Sequence, residues 1–290
     1  MSKADKNWTV LSMLKWATDY FTQKKVSEPR LSIEWMLSEV LGVKRLDLYL
    51  QFDRPLSSAE LKELRPMVKR RADHEPLQYI IGNTSFVGTT IYVEPGVLIP
   101  RIETEQLVDH ILEQNKHRKD EPLRLLDLGT GSGCIPVAIK NKYPAWICSG
   151  VDISPEAIAI ARKNAQANQT EVEFWMDDFS DQNRSAKLES SEWDLIVSNP
   201  PYITDSEKSE MDRQVLDYEP HMALFHENPL NLYKDIIRFA AQKKAITYLE
   251  CNDKSAHLAE EIATRFYGTV QCKKDLDGNN RFLIASNPLT

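Results

Sequence analysis

The chain has 290 residues, of which 42% are hydrophobic and 27% are charged, and its formal net charge is −7. This length predicts two domains with a sizeable core, and no apolar run approaches the ~20 residues that a membrane span needs. Residues 1–80 carry 14 Lys and Arg against 11 Asp and Glu, a net of +3, which leaves −10 for the rest. An acidic second half with one short basic run, Lys69-Arg70-Arg71, argues against a duplex-binding protein.

The cysteines and histidines predict neither disulfides nor a metal site. The four cysteines, at positions 134, 148, 251 and 272, form no Cys-x-x-Cys pair, and the six histidines have no metal-ligand spacing. Isolated cysteines of this kind are typical of reduced, buried thiols. The segment from Met1 to Trp8 lacks the apolar core of a secretory signal. We therefore expect a cytoplasmic protein that binds no membrane and no metal.

Residues 1–75 predict a small helical bundle. An apolar stripe at helical spacing runs from Val10 to Phe21, and a second helix extends from Pro29 to Gly42. The capping-box pattern Ser57-Ser58-Ala59-Glu60 opens a third helix that runs toward Arg71. The bundle contains no catalytic constellation, so we predict that it is a domain for substrate recognition.

Residues 76–97 predict a β-hairpin linker. Three short β-rich runs, Tyr79-Ile80-Ile81, Phe86-Val87 and Thr90-Ile91-Tyr92-Val93, are separated by turn-forming residues such as Gly82-Asn83. Such runs bounded by Gly and Asn are typical of a hairpin.

Residues 98–290 predict an α/β catalytic domain with a doubly wound sheet. From about residue 122, strands and helices alternate, which favours a parallel Rossmann-like arrangement. The predicted strands are 123–128, 147–151, 172–175, 193–198 and 245–250, and the predicted helices are 135–143, 155–168, 230–242 and 256–266. The turn-forming cluster Asp277-Gly278-Asn279-Asn280 separates the last two apolar runs, 270–272 and 282–284. This C-terminal hairpin should add an antiparallel strand to the edge of the sheet.

A glycine-rich loop, Gly129-Thr130-Gly131-Ser132-Gly133, follows the first of these strands and opens a helix. Glycines there let the backbone turn tightly and let a ligand approach the helix N-terminus. Asp152 ends the next strand about twenty residues downstream, where a carboxylate accepts hydrogen bonds from ribose hydroxyls. Asp177 and Asp178 follow the third strand, where an adenine amino group would lie, and Phe179 could pack on the ring. The pattern predicts a nucleoside-type cofactor, with a tight turn that binds nothing as the alternative.

The segment Asn199-Pro200-Pro201-Tyr202 directly follows the strand 193–198. Two prolines cannot continue a sheet, because each has a fixed φ and no N–H to donate. The strand therefore ends there, and the Asn199 side chain and the Pro200 carbonyl are left as acceptors for a planar NH2 group. An ordinary proline-rich turn is the alternative. Both this corner and the glycine loop fall at the carboxyl edge of the sheet, which favours S-adenosylmethionine as the cofactor.

Over nearly its whole length the sequence resembles the PrmC/HemK family, the protein N(5)-glutamine methyltransferases that act on peptide-chain release factors. The likeness includes residues 54–56, 75–80, 98–105, 126–135, 151–157, 197–203 and 215–220. The segments 98–105 and 215–220 are its most specific parts, because Asn-Pro-Pro-Tyr also occurs in DNA adenine methyltransferases. The chain departs from the family pattern at Ile102, usually proline, at Gln242-Lys243-Lys244, commonly a Gly-Gly turn, and at Glu250-Cys251-Asn252, often Glu-Ile-Gly.

The resemblance implies a class I S-adenosylmethionine-dependent methyltransferase that modifies the glutamine of a Gly-Gly-Gln loop and releases S-adenosylhomocysteine. Asn199 and Pro200 would hold the substrate amide beside the cofactor, with Pro201 completing the corner and Tyr202 packed against the amide plane. No residue is a clear general base. Arg101, Glu103 and Glu105 either close over the cofactor, fix the hinge between the domains or simply begin a surface helix.

Other functions share parts of this pattern. A DNA adenine methyltransferase would use the same corner, but it needs a basic groove and a pocket for a flipped base. A glutamine methyltransferase of a ribosomal protein also shares the corner. A scaffold or nucleotide-sensing protein could keep the fold without catalysis. We expect release factors as the partners and no direct binding of nucleic acid.

Overall fold

The computed structural model describes residues 8–179 and 184–289, apart from the side chain of Glu210. Contacts within the chain define two compact units. The first unit contains the described residues up to Gly82 together with Asp212–Tyr218, and the second contains Asn83–Met211 and the residues from Glu219 onward. No helix in the described ranges is long and apolar enough to cross a membrane.

The described residues form twelve α-helices, nine β-strands and three short 3-10 helices. The α-helices are α1 (Val10–Gln23), α2 (Pro29–Leu41), α3 (Ser58–Ala72), α4 (Leu77–Ile81), α5 (Ile102–Gln114), α6 (Cys134–Lys142), α7 (Pro155–Ala167), α8 (Ala186–Ser190), α9 (Arg213–Tyr218), α10 (His221–Leu224), α11 (Pro229–Gln242) and α12 (Ala256–Ala263). The strands are β1 (Asn83–Phe86), β2 (Thr89–Tyr92), β3 (Arg124–Leu128), β4 (Ile147–Asp152), β5 (Val172–Met176), β6 (Leu195–Ser198), β7 (Ile246–Glu250), β8 (Tyr267–Lys274) and β9 (Asn280–Pro288). Short 3-10 helices occupy Arg45–Leu50, Lys116–Arg118 and Asp205–Glu210.

Local capping signals set the ends of the helices in the first unit. The Thr9 hydroxyl accepts a hydrogen bond from the backbone of Ser12 at the start of α1, and Ser57 closes a capping box at the start of α3. The helix α2 begins at Pro29 and ends at Gly42, whose φ of 62° suits glycine. These helices confirm the predicted bundle, and their buried apolar side chains form one core.

One predicted element was wrong. Tyr79-Ile80-Ile81 belongs to the helix α4, which ends at Gly82 with a φ of 88°, and not to a strand. A short apolar run cannot by itself distinguish a strand from a buried helical turn. The hairpin follows immediately, because β1 pairs with β2 in antiparallel register from Asn83 opposite Tyr92. Its contacts group it with the second unit.

The second unit is built on a seven-stranded sheet with the order β5-β4-β3-β6-β7-β9-β8. The strands from β5 to β7 are parallel, and β9 pairs antiparallel with both β7 and β8. This arrangement confirms the predicted Rossmann-like sheet with an antiparallel C-terminal hairpin. The chain leaves β3 for β4 on one side, whereas β6 lies on the other side. The carboxyl ends of β3 and β6 therefore flank a switch point, where open α/β sheets bind ligands.

The segment from Asp205 to Glu227 contains more regular structure than its polar sequence indicates. It holds a 3-10 helix and the two short helices α9 and α10. The helix α9 packs within the first unit, where the buried Arg71 donates a hydrogen bond to Gln214 Oε1 at 3.1 Å. The Tyr218 hydroxyl donates to the carbonyl of Asp73 at 2.8 Å.

Candidate active site

A cavity of about 400 Å³ lies in the second unit at the carboxyl ends of the central parallel strands. Gly129 after β3, Asp152 at the end of β4 and Asn199 after β6 all line it. Its volume falls within the range of roughly 300–1,000 Å³ that small-molecule and cofactor sites occupy. Residues 220–223, around the helix α10, supply part of the wall.

The glycine-rich turn presents bare backbone to this cavity. Gly129, Gly131 and Gly133 have φ angles of 72°, 52° and 75°, a region that other residues rarely adopt. A Cβ atom added at Gly129 or Gly131 would meet no protein atom within 4 Å. At Gly133 it would lie 2.9 Å from the Cβ of Ala161 and from Phe174. The first two glycines thus leave space for a ligand, whereas the third allows close packing against α7 and β5.

Asp127, on β3, is hydrogen-bonded to the glycine-rich turn. Its carboxylate is fully buried and accepts a hydrogen bond from the Thr130 hydroxyl at 2.7 Å. Burial raises the pKa of Asp127 to about 7. A Cβ atom at Gly150 on β4 would lie 2.6 Å from that same hydroxyl, so this glycine lets the turn approach the sheet.

The carboxylate of Asp152 is fixed at the wall of the cavity by two backbone donors. The N–H of Gly131 donates to Oδ2 at 2.9 Å, and the N–H of Ser154 donates to Oδ1 at 3.0 Å. Burial raises the pKa of Asp152, and these backbone hydrogen bonds oppose that rise. Each carboxylate oxygen keeps acceptor capacity for a hydroxyl group on a ligand.

Asn199 belongs to a chain of polar side chains. Its Nδ2 donates to the Thr104 hydroxyl at 2.9 Å, and this hydroxyl donates to Oε2 of Glu250 at 2.8 Å. The Tyr202 hydroxyl donates to the other carboxylate oxygen of Glu250 at 3.0 Å. Asn199 is therefore connected through Thr104 to a buried acid at the end of β7.

Glu250 is fully buried, and burial raises its pKa to about 7. The hydrogen bonds from Thr104 and Tyr202 and the charge of Arg281 act in the opposite direction. Burial, with the nearby charge of Glu250, raises the pKa of Tyr202 well above that of a free phenol. The Tyr202 phenol therefore stays protonated at neutral pH.

The structure brings together half of the site residues predicted from the sequence. Those that line the cavity are Gly129, Thr130, Gly131, Ser132, Asp152 and Asn199. Those that are not among its lining residues are Gly133, Asp178, Phe179, Pro200, Pro201 and Tyr202. Phe179 and Tyr202 instead pack against the core on one side of the sheet. The Tyr202 hydroxyl is bonded to Glu250, and stacking of its ring on a substrate amide stays a prediction.

Arg101 and Glu219 form an ion pair beside the cavity, at 2.6 Å. Arg101 lines the cavity and immediately precedes α5. Glu103 and Glu105 lie in the first turn of this helix and are not among the lining residues. Burial raises the pKa of Glu105, which accepts a hydrogen bond from the backbone of Val87.

Three polar residues of the site received no role from the sequence: Thr104, Glu219 and Glu250. The first two lie inside the segments that are most specific to the family, and Glu250 ends a buried strand. An acidic residue at the end of an apolar strand indicates a buried acid with a polar partner, because charged groups are rarely buried without one. Its partners were not readable, since Thr104 and Glu250 are 146 positions apart.

Two family models match the chain. The PrmC N-terminal domain matches residues 12–82, and the methyltransferase small domain matches residues 102–217. The first match falls on the helical unit, and the second includes the glycine-rich turn and Asn199.

Curated relatives match over most of the chain. The release factor glutamine methyltransferase of Geobacter sulfurreducens is 40% identical over 224 residues, which cover 77% of this chain and 76% of the relative. The enzyme of the same name from Chlorobaculum tepidum is 34% identical over 287 residues, 96% of this chain and 97% of the relative.

Solved structures resemble the fold. The Thermus thermophilus 16S rRNA N2 G1207 methyltransferase, in complex with AdoMet and guanosine, has a TM-score of 0.52 at 18% identity over 71% of this chain and 49% of its own. The hMettl16 catalytic domain in complex with an RNA hairpin has a TM-score of 0.52 at 15% identity over 93% of this chain and 91% of its own. At such identities the likeness concerns the methyltransferase fold alone. On the strength of the curated relatives and the family models, the chain belongs to the release factor glutamine methyltransferase family.

Proposed function

We propose that this chain transfers a methyl group from S-adenosylmethionine to the side-chain amide nitrogen of a glutamine in a peptide-chain release factor. One observation carries the proposal: Asn199 and the open face of the glycine-rich turn line the same cavity. The residues proposed to hold the substrate NH2 group and those proposed to bind the cofactor would thus share one cavity. The names of the relatives supply the identity of the substrate.

The residues of the cavity fit the cofactor. Gly129 and Gly131 leave the space that a bulkier residue would fill, and Asp152 offers carboxylate oxygens for the two ribose hydroxyls. When bound, S-adenosylmethionine supplies an electrophilic methyl group on a sulfonium centre. Thr130 and Ser132 would hold the remainder of the cofactor along the turn.

The substrate side of the site would work by positioning. Oδ1 of Asn199 and the carbonyl of Pro200 would each accept one hydrogen bond from the glutamine NH2 group. This arrangement turns the nitrogen lone pair toward the methyl donor, which matters because an amide nitrogen is a weak nucleophile. Orientation of this kind can lower a barrier by roughly 7–11 kcal/mol. The rigid rings of Pro200 and Pro201 keep the corner from relaxing.

Tyr202 would contribute indirectly. Its hydroxyl donates to Glu250, and its pKa is too high for a general base at neutral pH. We propose that it stabilises the carboxylate behind Asn199 and does not contact the reacting atoms. Asp178 and Phe179, which follow β5 and are not among the lining residues, would bind the adenine end of the cofactor.

The helical unit would recognise the body of the release factor. Apolar side chains that it exposes, such as Leu46 and Leu50, which are 70% and 85% exposed, support this role.

The test is methylation of a purified release factor, read by mass spectrometry of the peptide that carries the Gly-Gly-Gln loop. We expect one added methyl group on the glutamine amide, and none on a release factor whose glutamine is replaced by alanine. Asn199→Ala should abolish turnover and leave cofactor affinity, measured by calorimetry, within a few-fold. Methylation of adenine in duplex DNA with no methylation of the release factor would overturn the proposal.

A further inference from the structure

We infer that Glu250 is a positioning residue: acting through Thr104, it holds the Asn199 amide with its nitrogen turned away from the substrate and its oxygen available to it. The inference rests on the proposed function, because it assumes that Asn199 accepts a hydrogen bond from the substrate. It assigns a purpose to a buried acid that the proposed reaction does not otherwise use.

The backbone places these residues side by side. The strands β6 and β7 are parallel neighbours, with Ser198 opposite Leu249. Asn199 directly follows β6 and Glu250 is the last residue of β7, so both lie at the same edge of the sheet. Thr104, in the first turn of α5, lies between their side chains and hydrogen-bonds to both.

The direction of the hydrogen bonds follows from the acid. An ionised carboxylate accepts hydrogen bonds and donates none. Thr104 has one hydroxyl proton, and it donates this proton to Glu250 at 2.8 Å. The threonine oxygen can then only accept from Asn199, which must present Nδ2, at 2.9 Å. The two ends of the Asn199 side chain are thereby distinguished without any contact from the substrate.

This orientation selects the substrate. With Nδ2 directed to Thr104, Asn199 offers an acceptor, which suits the NH2 of a glutamine side chain. The flipped amide would bring a donor toward that NH2, and two donors facing each other leave both hydrogen bonds unmade. A glutamate side chain, which has acceptors only, would face the Asn199 oxygen unfavourably. The relay therefore favours glutamine over glutamate.

The charge state of Glu250 is set by the groups around it. Burial disfavours the carboxylate and raises its pKa to about 7. Arg281 on β9 and the hydroxyls of Thr104 and Tyr202 favour the carboxylate, and Glu103 on α5 opposes it. Protonated Glu250 can donate to Thr104 and so release the constraint on Asn199.

The test compares Thr104→Val with Thr104→Ser. Valine keeps the shape of threonine and removes the hydroxyl, whereas serine restores it. The measurements are kcat and the affinities for two release-factor peptides, one with glutamine and one with glutamate at the target position. We expect Thr104→Val to lower kcat roughly 10–100-fold, by analogy with the loss of groups that orient metal-ligating side chains. It should also reduce the preference for the glutamine peptide, and Thr104→Ser should recover most of both.

Thr247→Val is the matched control, because Thr247 is a fully buried threonine on β7 whose hydroxyl bonds to Tyr267, away from Asn199. It should keep the glutamine preference. If Thr104→Val keeps the glutamine preference as this control does, the inference is wrong, and a loss of turnover in Asn199→Ala would not rescue it.

If Asn199→Ala leaves turnover intact, the proposed function itself is wrong. Loss of cofactor affinity equal to the loss of kcat in Thr104→Val would also overturn the inference.

Glu250→Gln adds a second readout. In the wild-type protein the preference for the glutamine peptide should weaken as the pH falls below about 7, since Glu250 then gains a proton. The variant cannot ionise at this position and should show a flat preference over the same range. A wild-type profile retained in Glu250→Gln would contradict the assignment to Glu250.

Discussion

The guanidinium of Arg101 lies 2.6 Å from the carboxylate of Glu219, whose side chain is only 1% exposed. The other oxygen of this carboxylate accepts the backbone N–H of Ile99 at 3.1 Å. Glu219 lies just before α10, and its two hydrogen bonds connect this segment to the segment before α5. Both segments contribute to the wall of the cavity.

Replacing Arg101 with methionine should leave the Glu219 charge buried with one partner fewer. We expect the free energy of unfolding to fall by about 3 kcal/mol, the lower end for breaking such a pair. The double variant Arg101→Met/Glu219→Gln should lose less, because no buried charge remains. Urea unfolding followed by tryptophan fluorescence measures both. Equal losses in the single and double variants would show that the ion pair contributes little.

The glycines of the turn should differ in what they tolerate. Gly133→Ala places a Cβ 2.9 Å from Ala161 and Phe174, so it should lower the melting temperature clearly. Gly131→Ala has space but keeps a φ of 52°, which costs about 1–2 kcal/mol, and Gly131 is one of the residues that line the cavity. It should weaken S-adenosylmethionine binding more than it weakens folding. Calorimetry and thermal unfolding of both variants separate the two effects, and identical behaviour would contradict the distinction.

Asp152→Asn tests the ribose-binding role. The amide keeps the size of the carboxylate, but it offers one acceptor oxygen where the acid offers two. We expect cofactor affinity to fall by at least about tenfold, since a hydrogen bond to a charged group is worth roughly 1.5–3 kcal/mol. The affinity for S-adenosylhomocysteine should fall in parallel, because the two ligands share the ribose. An unchanged affinity would remove Asp152 from the site.

The contribution of the buried carboxyl groups to stability and the activity should respond to pH in opposite directions. Burial raises the pKa of Glu250 from 4.5 to about 7 and that of Asp127 from 3.8 to about 7. In this interval the two folded-state carboxyl groups keep protons that the unfolded chain has lost, so their contribution to stability falls as the pH rises from about 4.5 to about 7. Turnover should rise over the upper part of the same range, because the Glu250 carboxylate orients Asn199.

Glu250→Gln should make the fall in stability shallower, as measured by urea unfolding across the interval. Glu227→Gln changes the charge equally at an exposed position and serves as the control. A slope in Glu250→Gln as steep as that of the wild type would assign the pH dependence to other groups.

The parts of the fold that depend on residues close together in the sequence were predictable from the sequence. The capping box at Ser57, the stop at Gly42 and the glycine-rich turn each depend on a few consecutive residues. The run 90–93 was predicted close to β2, whereas β1 begins at Asn83, in the predicted turn, and ends at Phe86. Tyr79–Ile81 is helical, because a short apolar run is compatible with either a strand or a helix. Alternation along the chain was enough to predict the parallel sheet.

The polar relay behind Asn199 was not predictable from one sequence. Asn199 and Thr104 are 95 positions apart, and Arg101 and Glu219 are 118 positions apart. No local pattern specifies which hydroxyl meets which acid at such separations. The sequence indicated where the substrate grip should be, and only the packing of α5 against β7 indicates what holds it in place.

The helix α9 has a consequence for any attempt to cut this protein into parts. It packs with the helical unit, although the chain up to Met211 and from Glu219 onward belongs to the other unit. A fragment that stops at Gly82 would therefore lack the acceptor that Gln214 gives to the buried Arg71. The complementary fragment would contain α9 without the helices of the first unit against which it packs. Truncation after Gly82 should therefore yield two fragments that each lack part of their native packing. A shortened protein that keeps residues 212–218 linked to the helical bundle should be the more stable form of the isolated recognition domain.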